Sequence, residues 1–445
     1  MGNKEELEER LKKLVVRLKN VQERKQLGTL VQIIEDLLYL AHSDEWATEL
    51  FEDEDVHCPL LVVLSAYISS PDVQQVGWSL LCRLMEICPR TLDKLSRPLS
   101  AGMDWEVLGI HQQILKALSV HSQQCKLIMV ELRALALLLK SDVITLMVLE
   151  DDTDIFDLIL NAMTCFSPNE EIQSHGCRCL QLLLEQVPDE HLVEFVERGD
   201  HSVVLSVART FQDNEDMVLQ ALKVLLPLAG PASNVEVLMS GNERCYSMIN
   251  QALQAFPHNQ PLQEVGCCLF QKFSSESYYN ILVLNGVHKM TVTACLMYPE
   301  NARLQVAALS CLAALTETIV QNKGLAEEEE EREQEREEEV VELSWVDACC
   351  AALEFHTADA LVQEAACLAL NSLLVQDPRL HQSFGDQDGR TPVHRQVMAA
   401  MLLHSSSWGV FQAAARALGT LIETTTVSPI AHRPPEASAR VPRSP

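Results

Sequence analysis

The stretch LQEVGCCLFQKF, Leu262 to Phe273, has counterparts along the whole chain. They are VQQVGWSLLCRL (Val73 to Leu84), IQSHGCRCLQLL (Ile172 to Leu183), MVLQALKVLLPL (Met217 to Leu228), LQVAALSCLAAL (Leu304 to Leu315), VQEAACLALNSL (Val362 to Leu373) and VFQAAARALGTL (Val410 to Leu421). Weaker copies begin near Thr29 (TLVQIIEDLLYL) and Leu127 (LIMVELRALALL). The first, eighth, ninth and twelfth places are mostly apolar, as in Val73, Leu80, Leu81 and Leu84, which lines them up on one helical face. The fifth place is small at Gly77, Gly176, Gly266, Ala308, Ala366 and Ala414. A helix-interior glycine costs about 1 kcal/mol relative to alanine. Its recurrence at one register predicts that another helix packs closely there.

The copies start at 29, 73, 127, 172, 217, 262, 304, 362 and 410, mostly 42 to 48 residues apart. That period belongs to armadillo and HEAT repeats, in which two or three helices stack on their neighbours. The expected fold is therefore all-α, an armadillo/HEAT-like superhelical solenoid of about nine repeats over residues 1–423. The gap from Leu304 to Val362 holds EEEEEREQEREEE (Glu327 to Glu339), read as an acidic disordered loop insertion at about 324–341. The gap from Val73 to Leu127 holds SRPLSAGMD (Ser96 to Asp104), read as a surface loop. From Thr424, TTTVSPIAHRPPEASARVPRSP has no periodicity, and residues 424–445 are expected to form a disordered tail.

A balance of 34 basic to 63 acidic residues, net charge -29, argues against nucleic acid as a partner, because phosphate neutralisation needs Lys and Arg. There are 15 cysteines but no CxxC, and most lie in apolar helical runs such as GCRCLQLLL, so reduced core thiols are expected in place of zinc sites. The chain has no GxxxxGK[ST] loop, no kinase HRD or DFG string and no HExxH. His175, His356 and His394 read as structural or exposed. FGDQDGRTP (Phe384 to Pro392) has the wrong carboxylate spacing for a calcium loop and reads as a turn. No enzyme activity and no cofactor are expected. No run approaches the roughly 18 apolar residues of a membrane span, and the cytoplasm is the expected compartment.

RLKKLVVRLKNVQERK, Arg10 to Lys25, carries seven basic residues against one acid, Glu23. Leu11, Leu14, Val15, Leu18 and Val21 follow helical spacing and form the expected buried stripe. Lys12, Lys13, Arg17 and Lys19 then face solvent. Either they form a plain solvated basic face, or the lysine pair meets a phosphate through charge-assisted bonds.

VQQVGWSLLC (Val73 to Cys82), DWEVLG (Asp104 to Gly109), NVEVLMSGN (Asn234 to Asn242), NILVLN (Asn280 to Asn285), VQEAAC (Val362 to Cys367) and HSSS (His404 to Ser407) carry a more specific resemblance. Together they resemble the N-terminal armadillo region of the leucine-rich repeat serine/threonine kinases, from about Leu11 to Glu423. Thr424 onward departs from that pattern, as in a truncated or alternatively terminated form. The resemblance implies a non-catalytic docking and regulatory module, with the family's kinase and GTPase activities lying outside the matched region. It implies Rab GTPases, possibly in phosphorylated form, and other domains of the parent kinase as partners, with membrane recruitment only through partners. Lys12 and Lys13 correspond to the family's paired lysines that are proposed to read phosphorylated Rab, and Arg17 extends that basic face. In a second Rab surface Arg395 keeps the family's basic residue, whereas Thr357 and Ala399 replace an expected arginine and leucine. An alternative is a generic armadillo adaptor without Rab binding. The tryptophan and asparagine ladder of nuclear-transport adaptors is absent, since Leu368 stands where a tryptophan is wanted beside Asn371.

Overall fold

The computed structural model describes residues 2–20, 26–52, 55–88, 90–96, 108–151, 154–240, 244–323, 344–376 and 392–426. Among them every regular element is helical, and the chain divides into two compact units, Met1–Lys272 and Phe273–Pro445.

The first unit opens with α1 (Gly2–Lys19), α2 (Leu27–Leu40), α3 (Asp44–Glu52), α4 (His57–Ala66), α5 (Pro71–Ile87) and the short α6 (Thr91–Leu95). Next come α7 (Ile110–Val120), α8 (Cys125–Leu138), α9 (Asp142–Leu149), α10 (Ile155–Cys165), α11 (Glu170–Leu184), α12 (Asp189–Glu197), α13 (His201–Thr210) and α14 (Glu215–Leu228). The unit closes with α15 (Ala232–Met239), α16 (Cys245–Ala255) and α17 (Gln260–Phe273). The repeating copies read from sequence are the long third helices α5, α8, α11, α14 and α17. Of these, α5, α8, α11 and α14 lie side by side in one layer, and α4, α7, α10 and α13 form a second layer against them.

The second unit contains a 3-10 turn (Glu276–Tyr278), α18 (Tyr279–Leu284), α19 (Val287–Met297), α20 (Ala302–Lys323), α21 (344–355), α22 (Ala360–Gln376), α23 (Val393–Leu403) and α24 (Trp408–Thr426). Its layer of third helices is α20, α22 and α24, in that order. The last helix continues to Thr426, so the first three residues of the expected tail are helical. The acidic insertion at 324–341, the Ser96 to Asp104 loop apart from Ser96, and the tail from residue 427 lie outside the described residues.

Three features recur among the repeats. Val73, Leu80, Leu81 and Leu84 are fully buried, as the apolar register requires. The fifth-place glycines sit where the preceding helix comes closest. A Cβ on Gly77 would stand 2.6 Å from Leu64 Cδ2, one on Gly176 2.5 Å from Met163 Sδ, and one on Gly266 2.6 Å from Leu253 Cδ2. Finally, in five repeats a polar residue three places before the pattern caps the third helix, whereas Gln26, Ser70 and Gln124 at that place make no such bond. The side chains of Asn169, Asn259 and Asn301 accept from the amides of Ile172, Leu262 and Leu304 at 3.0 Å, and Asn214 and Asp359 play the same part.

One element of the repeat is polar and deeply buried. The second place holds glutamine in five copies, and each Nε2 donates to two carbonyls at the end of the preceding helix. Gln74 binds Leu64 O and Tyr67 O, Gln173 binds Met163 O and Phe166 O, and Gln263 binds Leu253 O and Phe256 O. Gln305 and Gln363 do the same to Cys295 O with Tyr298 O and to Leu353 O with His356 O. The carbonyls left without partners where one helix ends are thus satisfied by the side chain of the next.

Candidate functional site

α1 presents the first candidate surface. Leu11, Leu14, Val15 and Leu18 are buried against α2 and α4, as their spacing required, while Val21 lies outside the described residues. Arg10 reaches Asp36 of α2 at 3.6 Å. Lys12 and Lys13 then point to solvent, with side chains 52% and 71% exposed. Neither is a bare cation: Lys12 Nζ lies 2.6 Å from Glu8 Oε1 and Lys13 Nζ lies 2.7 Å from Glu9 Oε1. The Lys13 hydrogen bond holds the Glu9 carboxyl below the usual carboxylate range. Arg17 is exposed and lies with Lys19 in the last turn, where cations complement the helix dipole. Val16, one turn beyond Lys12, is 64% exposed, so the lysines border an uncovered apolar side chain.

The basic stretch is thus offset by its own surroundings. EELEERLKK spaces two glutamates four residues ahead of two lysines, the orientation that favours helical ion pairs. Such exposed pairs are weak and open readily to a multiply charged anion.

Arg395 belongs to the second unit. On α23 the exposed residues Arg395, Met398, Ala399 and Leu402 fall at i, i+3, i+4 and i+7, one continuous stripe, while Val393, Gln396, Val397 and Ala400 form the buried face. Gln396 Nε2 donates to Glu354 Oε1 on α21 at 2.6 Å, and His404 Nε2 lies 2.8 Å from Thr357 O. These contacts set the exposed Thr357 turn beside α23. Arg395 and Thr357 therefore share one neighbourhood of the second unit, whereas Lys12, Lys13 and Arg17 belong to the first.

Among the described residues, a geometric suspect for catalytic chemistry is the run Asp55, His57, Cys58. Cys58 Sγ lies 3.3 Å from His57 Nε2, and His57 Nδ1 lies 3.9 Å from Asp55 Oδ1. The second distance is too long for a hydrogen bond. Asp55 instead pairs with Lys94 at 2.8 Å. Burial pushes the Cys58 thiol up and the His57 imidazole down, the reverse of what a thiolate nucleophile needs. Among the described residues no group of histidines, cysteines and carboxylates is arranged to hold a metal, and no helix is long and apolar enough to cross a membrane. Of the three histidines read as structural or exposed, His356 Nε2 lies 2.7 Å from Pro299 O, His175 is half-buried and His394 is exposed.

Repeat geometry and candidate surfaces together describe an interaction array, and comparison with known sequences agrees. The sequence family described as LRRK2 ARM repeat matches residues 12–429. The chain belongs to that family. Its repeats occupy nearly the whole length, and no kinase domain is present in this chain. Among solved structures, a chain from the study of a conserved phosphorylation switch controlling the interaction between cadherin and beta-catenin superposes with a TM-score of 0.53. The alignment covers 93% of this chain and 91% of that one at 13% identity, which establishes a shared armadillo fold.

Proposed function

We propose that this LRRK2 ARM repeat chain is the non-catalytic docking and regulatory module of a leucine-rich repeat serine/threonine kinase, and that it holds Rab GTPases to bring the kinase to membranes. The observation that carries the reading is the pair Lys12 and Lys13, exposed on a helix whose inner face is set by the burial of Leu11, Leu14, Val15 and Leu18. A phosphorylated partner residue brings close to two negative charges and three acceptor oxygens, enough to displace Glu8 and Glu9 from the lysines. Val16 supplies apolar contact beside them, and Arg17 adds a cation one turn on. The α23 stripe of Arg395, Met398, Ala399 and Leu402 is a second docking face, built from one cation and apolar neighbours, and Thr357 and Ala399 make it less basic and less apolar than the family pattern.

The test is capture of the intact chain by a panel of Rab GTPases, each phosphorylated and unphosphorylated. Replacing both lysines, Lys12→Ala with Lys13→Ala, is expected to leave the melting temperature nearly unchanged and to weaken phospho-Rab binding about tenfold or more, one decade being 1.4 kcal/mol. Equal affinity of the double variant overturns the lysine assignment. Failure of every Rab to bind leaves the chain as an armadillo scaffold for other partners.

A further inference from the structure

A cleft of about 500 Å³ opens in the first unit, lined by α13, the start of α14, and α16 of the next repeat. Its floor is small and apolar, made by the buried side chains of Ala208, Val218 and Ala252. Its ionisable lining residues are Arg209, Asp213 and Arg244, all exposed at the rim.

The two cations come from consecutive repeats and from opposite ends of their helices. Arg209 lies in the last turn of α13, whereas Arg244 is the N-cap of α16. Arg244 has a left-handed backbone, φ 43° and ψ 48°, which among the described non-glycine residues only Asp55 shares in the sign of φ. A β-carbon makes that region costly, and its usual non-glycine occupants are Asn and Asp. Either of those would also cap the helix, which the Arg244 side chain does not do. The turn therefore gives no reason for an arginine, and the cleft that its side chain lines does. Asp213, four residues after Arg209 at the same rim, offsets one of the two charges. One positive charge is left over, in a chain whose net charge is -29. The first-turn amides of α16, which Arg244 leaves uncapped, add to the positive potential.

The lining also narrows the class of anion. A leftover charge of one is balanced by a monoanion, whereas a phosphate monoester brings close to two negative charges. A guanidinium presents a planar fork of donors that matches a carboxylate. A carboxylate with no body attached leaves the apolar floor unused, and methylenes or a ring would cover it. The volume lies within the roughly 300–1,000 Å³ of small-molecule sites. Among the described residues no aromatic side chain lines the cleft, so a nucleobase has no stacking platform. We propose that the cleft between α13 and α16 is a binding site for a small amphipathic monocarboxylate, held by Arg244 and Arg209 with its apolar body on Ala208, Val218 and Ala252. The site uses neither Lys12 nor Lys13 and does not depend on the Rab reading.

The experiment is isothermal titration calorimetry of the full chain with phenylbutyrate, at low and physiological salt. Phenylbutyramide keeps the shape without the charge, phenylbutylamine reverses the charge, and acetate lacks the apolar body. The expected result is saturable binding of phenylbutyrate, at least tenfold tighter than any of these controls and weaker as salt rises. Arg244→Asn suits the left-handed turn while removing the cation, and is expected to weaken binding about tenfold or more with an unchanged melting temperature. Ala255→Trp, at an exposed position of the cleft wall, is expected to abolish binding by filling the space. No saturable binding, equal affinity for the amide, or unchanged affinity in either variant overturns the proposal. Unchanged affinity in both would place the probe on other exposed apolar surface, such as that around Trp408. Where Arg244→Asn shifts the melting temperature, Ala255→Trp alone decides, and binding retained there overturns the proposal.

Discussion

Two adjacent glutamines, Gln74 and Gln75, show how much one place in the repeat decides. Gln74 is fully buried, donates to Leu64 O and Tyr67 O at 2.8 and 3.1 Å, and accepts from Trp78 Nε1 at 2.9 Å. Gln75 is exposed. Gln74→Ala strands two carbonyls and an indole N–H in the interior and is expected to cost about 2–4 kcal/mol, since each unmade buried group costs about 1–3 kcal/mol and the losses overlap. Gln75→Ala is expected to stay within about 0.5 kcal/mol. Urea denaturation of the two variants beside the parent chain checks the pair, and similar midpoints would remove the glutamine from its role. This feature stood in plain view in the aligned copies, yet apolar periodicity passes over it because a search for core positions ignores polar residues. The small fifth place was legible for the opposite reason: Gly77, Gly176 and Gly266 break the ordinary preference of helices, and a broken preference attracts a packing explanation.

Among the elements, α8 departs from its siblings. Its second place is Ile128, so the glutamine clamp is missing, and its fifth place is Glu131 where seven copies, Ala221 included, hold glycine or alanine. Glu131 and His121, the C-cap of α7, are 0% and 1% exposed, with His121 Nδ1 2.7 Å from Glu131 Oε1. A hydrogen-bonded pair thus ties the third helix of this repeat to the end of the second, in the place of the glutamine. The sequence pattern did not reveal it, because the two residues are ten apart across a turn and neither belongs to the apolar register. The hydrogen bond from Glu131 raises the His121 pKa, and burial raises that of Glu131. Both shifts mean that the folded pair keeps its proton to higher pH than the unfolded chain does. Its contribution is then fully present below the ordinary midpoints, about 4.3 for Glu and about 6.5 for His, and is lost as pH rises through the folded values. The melting temperature is expected to fall from pH 6 to 8.5 by more in the parent chain than in Glu131→Gln, where no carboxylate supports the imidazolium. Parallel curves for the two proteins would show that the pair does not titrate in this range. On α1 the buried stripe was readable from spacing, and so were the Glu8–Lys12 and Glu9–Lys13 pairs, since both sit four apart. A charge balance that begins at Arg10 leaves them out, because both glutamates precede it.

At the scale of the whole molecule, the period of 42 to 48 residues dictates the fold, because a single repeat has two apolar faces and only neighbours on both sides can cover them. The binding surfaces are less legible, since they lie at places the repeat leaves free, and spacing alone does not say whether Lys12 meets a glutamate or a phosphate. Cysteine chemistry follows from the layers as well. All 15 cysteines are free thiols, and Cys82, Cys177, Cys179, Cys267, Cys268, Cys311 and Cys367 fill interior positions of the third helices. Burial raises the thiol pKa of Cys82, Cys177, Cys311 and Cys367 to about 12, and pushes Cys179, Cys295 and Cys349 higher still. Thiolate is the reactive form, so these groups are inert while the layers stay closed. Cys165 alone is exposed, with Cys58, Cys125 and Cys350 half-buried. Titration of the native chain with a thiol-specific disulfide reagent at pH 8 is expected to show one fast thiol, lost in Cys165→Ser, and a slower phase from the half-buried three. The eleven buried thiols should react only after unfolding in guanidinium, and added reductant should leave the melting temperature unchanged. Fast labelling of many thiols in the native chain would mean that the third-helix layers open on the time scale of the reaction. A melting temperature lowered by reductant would mean that disulfides, and not the stacking of repeats alone, hold the array together.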